Sequence, residues 1–240
     1  MSSSVGPRTA ETSFMAGEGS ALRPRGLVDL RGSGDVPAVL EYPDGAVVVV
    51  SGLPGSGKST LLRRWSKAAS VIDPRVVHVA CEAMMPTWLP YAVYRPWARW
   101  RYFRWLRSVV RGGGPLLVHD CGGRPWMRRR LAGSAGRQGR ELHLVLLDVG
   151  MAEALAGQAA RGRWAPRRAF ARHRRGLDRL LRSLSGLDGA TPDGDPVREA
   201  ASVVLLDRDS RERVAAVEFV RGQMRREDER RLRDGEPMPR

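Results

Sequence analysis

Nine residues, Gly52-Leu53-Pro54-Gly55-Ser56-Gly57-Lys58-Ser59-Thr60, follow the apolar run 46–50 after a single serine and constrain the fold more than anything else in the 240-residue chain. They fit G-x-x-x-x-G-K-[ST], a loop that cradles phosphates where a buried strand passes into a helix. Each residue type has a physical task. Glycines let the backbone curl without a Cβ clash, so that successive N–H groups point inward at phosphate oxygens. The helix that starts near Lys58 adds its positive dipole end. Lys58 would meet the β- and γ-phosphates as a point charge, and the Ser59 hydroxyl would enter the shell of a magnesium ion. The pattern therefore implies a nucleoside triphosphate site. Chance does not explain it, since a chain of this composition is expected to contain only about 0.002 such motifs. Lysine usage sharpens the point: Lys58 and Lys67 are the only lysines beside 39 arginines. Lysine stands where a compact ammonium on a flexible stem suits the job.

The net charge of +15 is unevenly placed, because residues 84–182 hold 21 arginines against five acids. A field of that sign draws polyanions such as nucleotides, nucleic acid or acidic lipid surfaces. The length suits one α/β domain. No run approaches the roughly 18 apolar residues of a membrane span, and residues 1–26 lack the apolar core of a signal peptide. A cytoplasmic protein with no membrane partner is expected. Cys81 and Cys121 lack CxxC spacing and read as small buried hydrophobes in a reduced compartment.

Along the chain, residues 1–37 are rich in Ser, Gly and charge without period and read as a disordered leader. Residues 39–42, a Pro43-Asp44-Gly45 turn and residues 46–51 read as a hairpin whose second arm carries the loop. Helix is expected over 60–69 and a mostly helical segment after Pro96; residues 76–80 are as β-branched and apolar as 70–73, but Pro74 at a first helical position favours a second strand ending at Asp73 with a helix after it. Strands at 115–119, 141–147 and 202–206 end before Asp120, Asp148 and Asp207, with helices at 124–137, 152–161 and 163–185 and a polar closing helix over 211–233. Apolar strands alternating with helices predict an α/β three-layer sandwich around a five-stranded, mainly parallel sheet, preceded by the short hairpin strand. The main domain is expected over 38–233, with an acceptor-side aromatic and basic segment at 84–114, a lid region at 158–185 and a flexible tail at 234–240.

In such sheets ligands sit beyond the carboxyl ends of the strands, where Gly52, Asp73, Asp120, Asp148 and Asp207 all project. A phosphate-bound magnesium takes one or two carboxylates from a strand beside the loop strand. Asp120, which follows a clean short strand and precedes Cys121-Gly122-Gly123, is the choice, with Asp148 and Asp207 as alternatives. Each of these acids could instead cap the following helix. Asp73 could orient an attacking hydroxyl, or cap the helix at Pro74. Arg161, with Arg163, Arg167 and Arg168 near it, could swing as a lid over the transferring oxygens. Between Trp88 and Arg111, large rings alternate with six arginines. Trp97, Trp100 and Leu106 are expected to pack inward, while Tyr91, Tyr94 and Arg95 precede the helix and line a cleft.

The loop strand with GLPGSGKST, the acid at Asp73, PLLVHD ending at Asp120, LHLVLLD with a helix ending in RGR, and VVLLDRD together resemble the small P-loop kinase-like ATPases, the AAA-domain ATP-binding proteins of actinobacterial type. The resemblance implies that the Asp120 strand lies beside the loop strand, that a lid follows strand four, and that adenine sits near Asp207 and Arg208. Gln158 stands where such lids often carry a first arginine. No second-region arginine or sensor of the ring-forming ATPases is evident, which argues against a hexameric motor. The implied activity is magnesium-dependent phosphoryl transfer from ATP to an unidentified small hydroxyl-bearing molecule or nucleotide. An ATPase switch on nucleic acid and a non-catalytic ATP-binding regulator are the alternatives.

Overall fold

Every residue of the strand that carries the loop is buried, and its side chains alternate between two separate cores. Val47 and Val49 face one core and Val48 and Val50 the other, as period-two geometry requires of a strand covered on both sides. The computed structural model describes residues 20–120, 125–162, 164–185 and 196–221. Its strands are β1 (Ala21–Leu22), β2 (Gly26–Asp29), β3 (Val39–Pro43), β4 (Val47–Gly52), β5 (Ser70–Ile72), β6 (Leu116–His119), β7 (Leu142–Leu147), β8 (Ser202–Leu206) and β9 (Ala216–Val220). The helices are α1 (Lys58–Trp65), α2 (Pro74–Met84), α3 (Tyr91–Arg111), α4 (Pro125–Gly136), α5 (Met151–Ala159), α6 (Arg167–Leu184), α7 (Pro196–Glu199) and α8 (Arg208–Arg213).

A parallel sheet of six strands runs β2-β8-β7-β4-β6-β5, with the loop strand between β7 and β6. The layers and the parallel sheet agree with the sequence reading. One strand is additional: β2 comes from the stretch expected to be a disordered leader, and it pairs along its whole length with β8. Leu30 and Val36 from the same stretch are buried in the core that also holds Trp65. Residues 1–19, and the expected tail at 234–240, lie outside the described residues.

The expected hairpin does not form. The turn itself is present, with Ala46 N–H donating to Pro43 O at 3.0 Å and Gly45 at φ 77°. Its two arms, however, enter different sheets, because β3 pairs in parallel with β1 and with β9. β9 in turn occupies residues expected to be part of a closing helix. Among the described residues of that stretch only α8 is helical, and the Ala-Val-Glu-Phe-Val run pairs with β3, laying Phe219 against Tyr42 at 6.1 Å between ring centroids. This small sheet and α1 cover one face of the large sheet, while α3, α4 and α6 supply the core on the other.

α3 starts at Tyr91 rather than after Pro96, which lies inside it. Its inward stripe is Tyr94, Ala98, Tyr102, Leu106 and Val110, a four-residue spacing that keeps one face against the sheet. Leu106 is buried as expected, and Trp97 packs against the same core while partly exposed. Trp100, expected inside, is 56% exposed, and Tyr94, expected at a cleft, is core. The i+4 stripe explains both, since Trp100 falls between its members. Cys81 is buried, in keeping with its reading as a small hydrophobe, and Cys121 lies outside the described residues. Among the described residues no helix is long and apolar enough to cross a membrane.

Candidate functional site

The loop between β4 and α1 turns on three glycines with positive φ: Gly52 at 153°, Gly55 at 93° and Gly57 at 90°. None has room for a side chain. A Cβ on Gly52 would lie 2.8 Å from Leu147 O, and one on Gly57 would lie 2.6 Å from the Arg211 guanidinium. Gly57 caps α1 with its left-handed dihedrals, and no side chain takes up the first N–H groups of that helix. The Lys58 ammonium is 3% exposed and donates to Gly52 O at 2.9 Å and Leu53 O at 2.7 Å. The loop's one cation is thus held inside its curl.

α5 lies directly on this loop. A Cβ on Gly55 would be 1.9 Å from Ala154 O, and one on Gly157 would be 2.3 Å from Gly55 O. Glycine on both sides is what lets the two backbones touch. Gln158, 4% exposed, donates from Nε2 to Pro54 O at 3.1 Å and accepts at Oε1 from Ala165 N–H at 2.6 Å. It ties the loop to the turn that follows α5, which is a structural use of the position where a lid arginine is often found. Arg161, in that turn, donates from Nη2 to the Thr60 hydroxyl at 3.1 Å. Arg163 lies outside the described residues, and Arg167 and Arg168 open α6 on the surface.

Two clefts flank the contact between α5 and the loop. One, of about 670 Å³, lies toward β8 and is lined by Gly57, Thr60, Arg64, Glu153, Arg161, Arg208, Arg211 and Glu212. The other, of about 620 Å³, lies toward β5 and is lined by Pro54, Ser59, Arg63, Arg75, Gln158, Arg161, Trp164 and Ala165. Arg208 therefore stands on the first cleft, where it lies 3.6 Å from Glu212. Sequence reasoning missed Arg211, placing it in a solvated helix. Its Nη1 donates to Ser56 O at 2.7 Å and lies 3.5 Å from Glu153. The usable signal was position: Arg211 follows the strand-end Asp207 by four residues, one helical turn beyond the carboxyl edge of the sheet.

The strand-end acids separate by environment. Asp148 accepts from Arg31, and Asp207 accepts from Gly32 N–H at 2.7 Å and from Ser210 N–H at 2.9 Å in a capping box. Burial would raise the Asp207 carboxyl, but the Ser210 and Gly32 donors outweigh it and hold the carboxyl below its ordinary value. Both alternatives for the metal are thus bound to the segment that follows β2. Asp120 follows β6, the strand hydrogen-bonded to β4, and its N–H donates to Val50 O at 3.0 Å. The Ser59 hydroxyl on the loop and the Asp120 carboxylate just past the adjacent strand are hard oxygen donors of the kind that magnesium takes beside phosphate and water.

Asp73 caps α2, accepting from Arg75 N–H at Oδ1, 2.9 Å away. The same oxygen lies 3.6 Å from His119 Nδ1, a buried nitrogen without a hydrogen-bond partner. His119 was also missed. Burial first, and then the Lys58 and Arg161 charges, push it down to about 4 against the opposing pull of Asp73. The imidazole beside Asp73 is therefore neutral at physiological pH.

The AAA domain family profile matches residues 47–187, more than half of the chain. The fold is similar to a sugar kinase from Janibacter sp. HTCC2649 (18% identity, 70% of this chain and 90% of that one, TM-score 0.44). It is also similar to a gluconokinase from Sinorhizobium meliloti 1021 (16%, 72% and 91%, 0.45) and to the Mycobacterium tuberculosis APS kinase in complex with AMPPNP and APS (18%, 72% and 95%, 0.41). No curated protein matches the sequence. With its glycine loop, its central loop strand and its profile match, the chain belongs to the AAA domain family, its phosphate-loop motif standing between the central strand of a parallel sheet and a helix.

Proposed function

We propose that this protein is an ATP- and magnesium-dependent phosphotransferase acting on a small hydroxyl-bearing molecule or nucleotide. The observation that supports this reading is the pair of clefts on opposite sides of one phosphate loop. A hydrolase needs room for a nucleotide and a water, whereas a kinase needs a second compartment for its acceptor. The cleft toward β8, with Arg208 and Arg211, takes the nucleoside, and the cleft toward β5 takes the acceptor.

Lys58 and the N–H groups of residues 52–60 hold the phosphates, and Ser59 and Asp120 hold the cation. Magnesium, when bound, neutralises charge on the β- and γ-phosphate oxygens. Asp73 orients the acceptor hydroxyl through the carboxylate oxygen that does not cap α2, and takes its proton as the oxygen–phosphorus bond forms. ADP leaves with the electron pair of the broken bond. Arg161, which lines both clefts and donates to the Thr60 hydroxyl, supplies positive charge where the transferring oxygens meet the acceptor. A panel of hydroxyl-bearing metabolites incubated with γ-labelled ATP and magnesium tests the reading, which fails if no member acquires label. Lys58→Ala is expected to lower ATP affinity in calorimetry and to cut turnover by about a hundredfold or more.

One observation favours a second reading, a nucleic-acid-associated ATPase: Arg104 lies 5.0 Å from the exposed Trp100 ring on α3, a pairing that suits base stacking. That reading requires turnover to rise on addition of DNA or RNA and to weaken steeply with salt.

A further inference from the structure

The cleft toward β5 is charged in a way that the opposite cleft is not. Arg63 of α1, Arg75 of α2 and Arg161 after α5 line it, and none of its described lining residues is Asp or Glu. The cleft toward β8 answers its arginines with Glu153 and Glu212. Other described guanidinium groups beside the loop or near its flanking strands close onto acids, as Arg31 does on Asp29 and Asp148 and Arg211 on Glu153, whereas the arginines of α3 and α4 line clefts away from the loop. Arg63 and Arg75 form no ion pair with any described carboxylate, and Arg161 is hydrogen-bonded to a neutral hydroxyl. Trp164 completes the wall with a ring that is 64% exposed.

Three uncompensated guanidinium groups around a concavity focus a positive potential, and the walls exclude part of the screening solvent. Arginine forks match the paired oxygens of a phosphate, sulfate or carboxylate, and a tryptophan face suits a flat or apolar surface beside that anion. Arg75 and Asp73 share the N-terminus of α2, where the Arg75 N–H donates to the Asp73 carboxylate at 2.9 Å, so the cleft that Arg75 lines and that carboxylate meet at one helix end.

Resting on the phosphotransferase reading, we infer that the acceptor is itself an anion: a small hydroxyl-bearing molecule that already carries a phosphate, sulfate or carboxylate group, held by Arg63, Arg75 and Arg161 against Trp164. Its existing anionic group is unchanged by the reaction. The hydroxyl oxygen forms a bond to the γ-phosphorus, the bond from that phosphorus to the β-phosphate oxygen breaks, ADP departs with the electron pair, and the hydroxyl proton passes to Asp73.

The test uses the full chain with ATP and magnesium and offers acceptors in matched pairs: glycerol with glycerol 3-phosphate, adenosine with adenosine 5′-monophosphate, glucose with gluconate, and galactose with galactose 6-sulfate. Label transfer and ADP release are measured for each, and ATP affinity is measured separately by calorimetry. The charged member of at least one pair is expected to exceed its neutral twin by about tenfold or more in kcat/KM, and the identity of that pair distinguishes phosphate, sulfate and carboxylate. Arg75→Ala should raise the acceptor KM by about ten- to hundredfold, the loss of one charge-assisted contact, with ATP affinity retained. Arg75→Lys should recover part of it, because the charge returns without the fork. Transfer to neutral acceptors at equal or greater efficiency, or an unchanged acceptor KM in Arg75→Ala, overturns the inference and leaves the phosphotransferase reading standing. ATP binding with no transfer to either member of any pair removes both.

Discussion

Gly157 shows how one missing side chain places an element against the site. In the last turn of α5 its replacement by alanine would ordinarily favour the helix by up to about 1 kcal/mol. Here the added Cβ would meet Gly55 O at 2.3 Å, and that oxygen belongs to loop backbone that cannot swing aside as a flexible side chain would. The clash outweighs the propensity. Gly157→Ala is expected to destabilise the protein by about 1–2 kcal/mol in urea denaturation and to weaken ATP binding, since α5 must lift from the loop. A variant more stable than the parent would show that the two backbones are not in contact. The same scale explains why Lys58 and the glycines were legible and Arg211 was not. The loop residues are adjacent in sequence, so their spacing carries the signal. Arg211 reaches Ser56 O across 155 positions, and its place one helical turn after the strand-end Asp207 is all that sets it apart from the 38 other arginines.

Among the elements, β2 and β9 are the pair that periodicity did not reveal. Both are short, both lie in polar surroundings, and each gains its strand hydrogen bonds only from a distant partner, β8 for one and β3 for the other. Propensity is weak in such segments, and pairing decides. β4, β6, β7 and β8 behaved oppositely, because continuous apolar runs bounded by turns and acids announce strands covered on both faces. Leu30 separates the two descriptions of the N-terminal segment. As part of a loose leader, its truncation would change nothing. In the structure it is 7% exposed and shares one core with Val36, Leu40, Tyr42 and Leu206. Leu30→Ala is therefore expected to cost about 2–4 kcal/mol in chemical denaturation. A cost near zero would detach β2 and its following loop from the fold.

At the scale of the whole molecule, two buried histidines tie stability to pH. His119 and His143 are both pushed from an ordinary 6.5 to about 4, each chiefly by burial. Between these values the unfolded chain binds protons that the folded chain refuses, so the stabilisation is complete above about pH 6.5 and is lost as pH falls toward 4. The full window corresponds to roughly 3 kcal/mol for each imidazole. The melting temperature should fall markedly from about pH 7.5 to about 4.5, and His143→Phe should flatten that slope whatever it does to stability at neutral pH. A pH-independent melting temperature over this range would refute the burial of both rings as neutral groups. The sequence by itself determined the phosphate loop and the parallel α/β sheet, and through its family resemblance the place of the Asp120 strand beside the loop strand, because contiguous motifs and apolar runs are local signals. Only the tertiary structure decided that Asp148 and Asp207 are bound to the N-terminal segment, that α5 rests on the loop through Gly55 and Gly157, and that arginines without acidic partners gather on one side of it. Those features depend on which distant segments meet, and the free energy of burial and hydrogen bonding that selects such meetings is carried by the assembled chain rather than by any stretch of it.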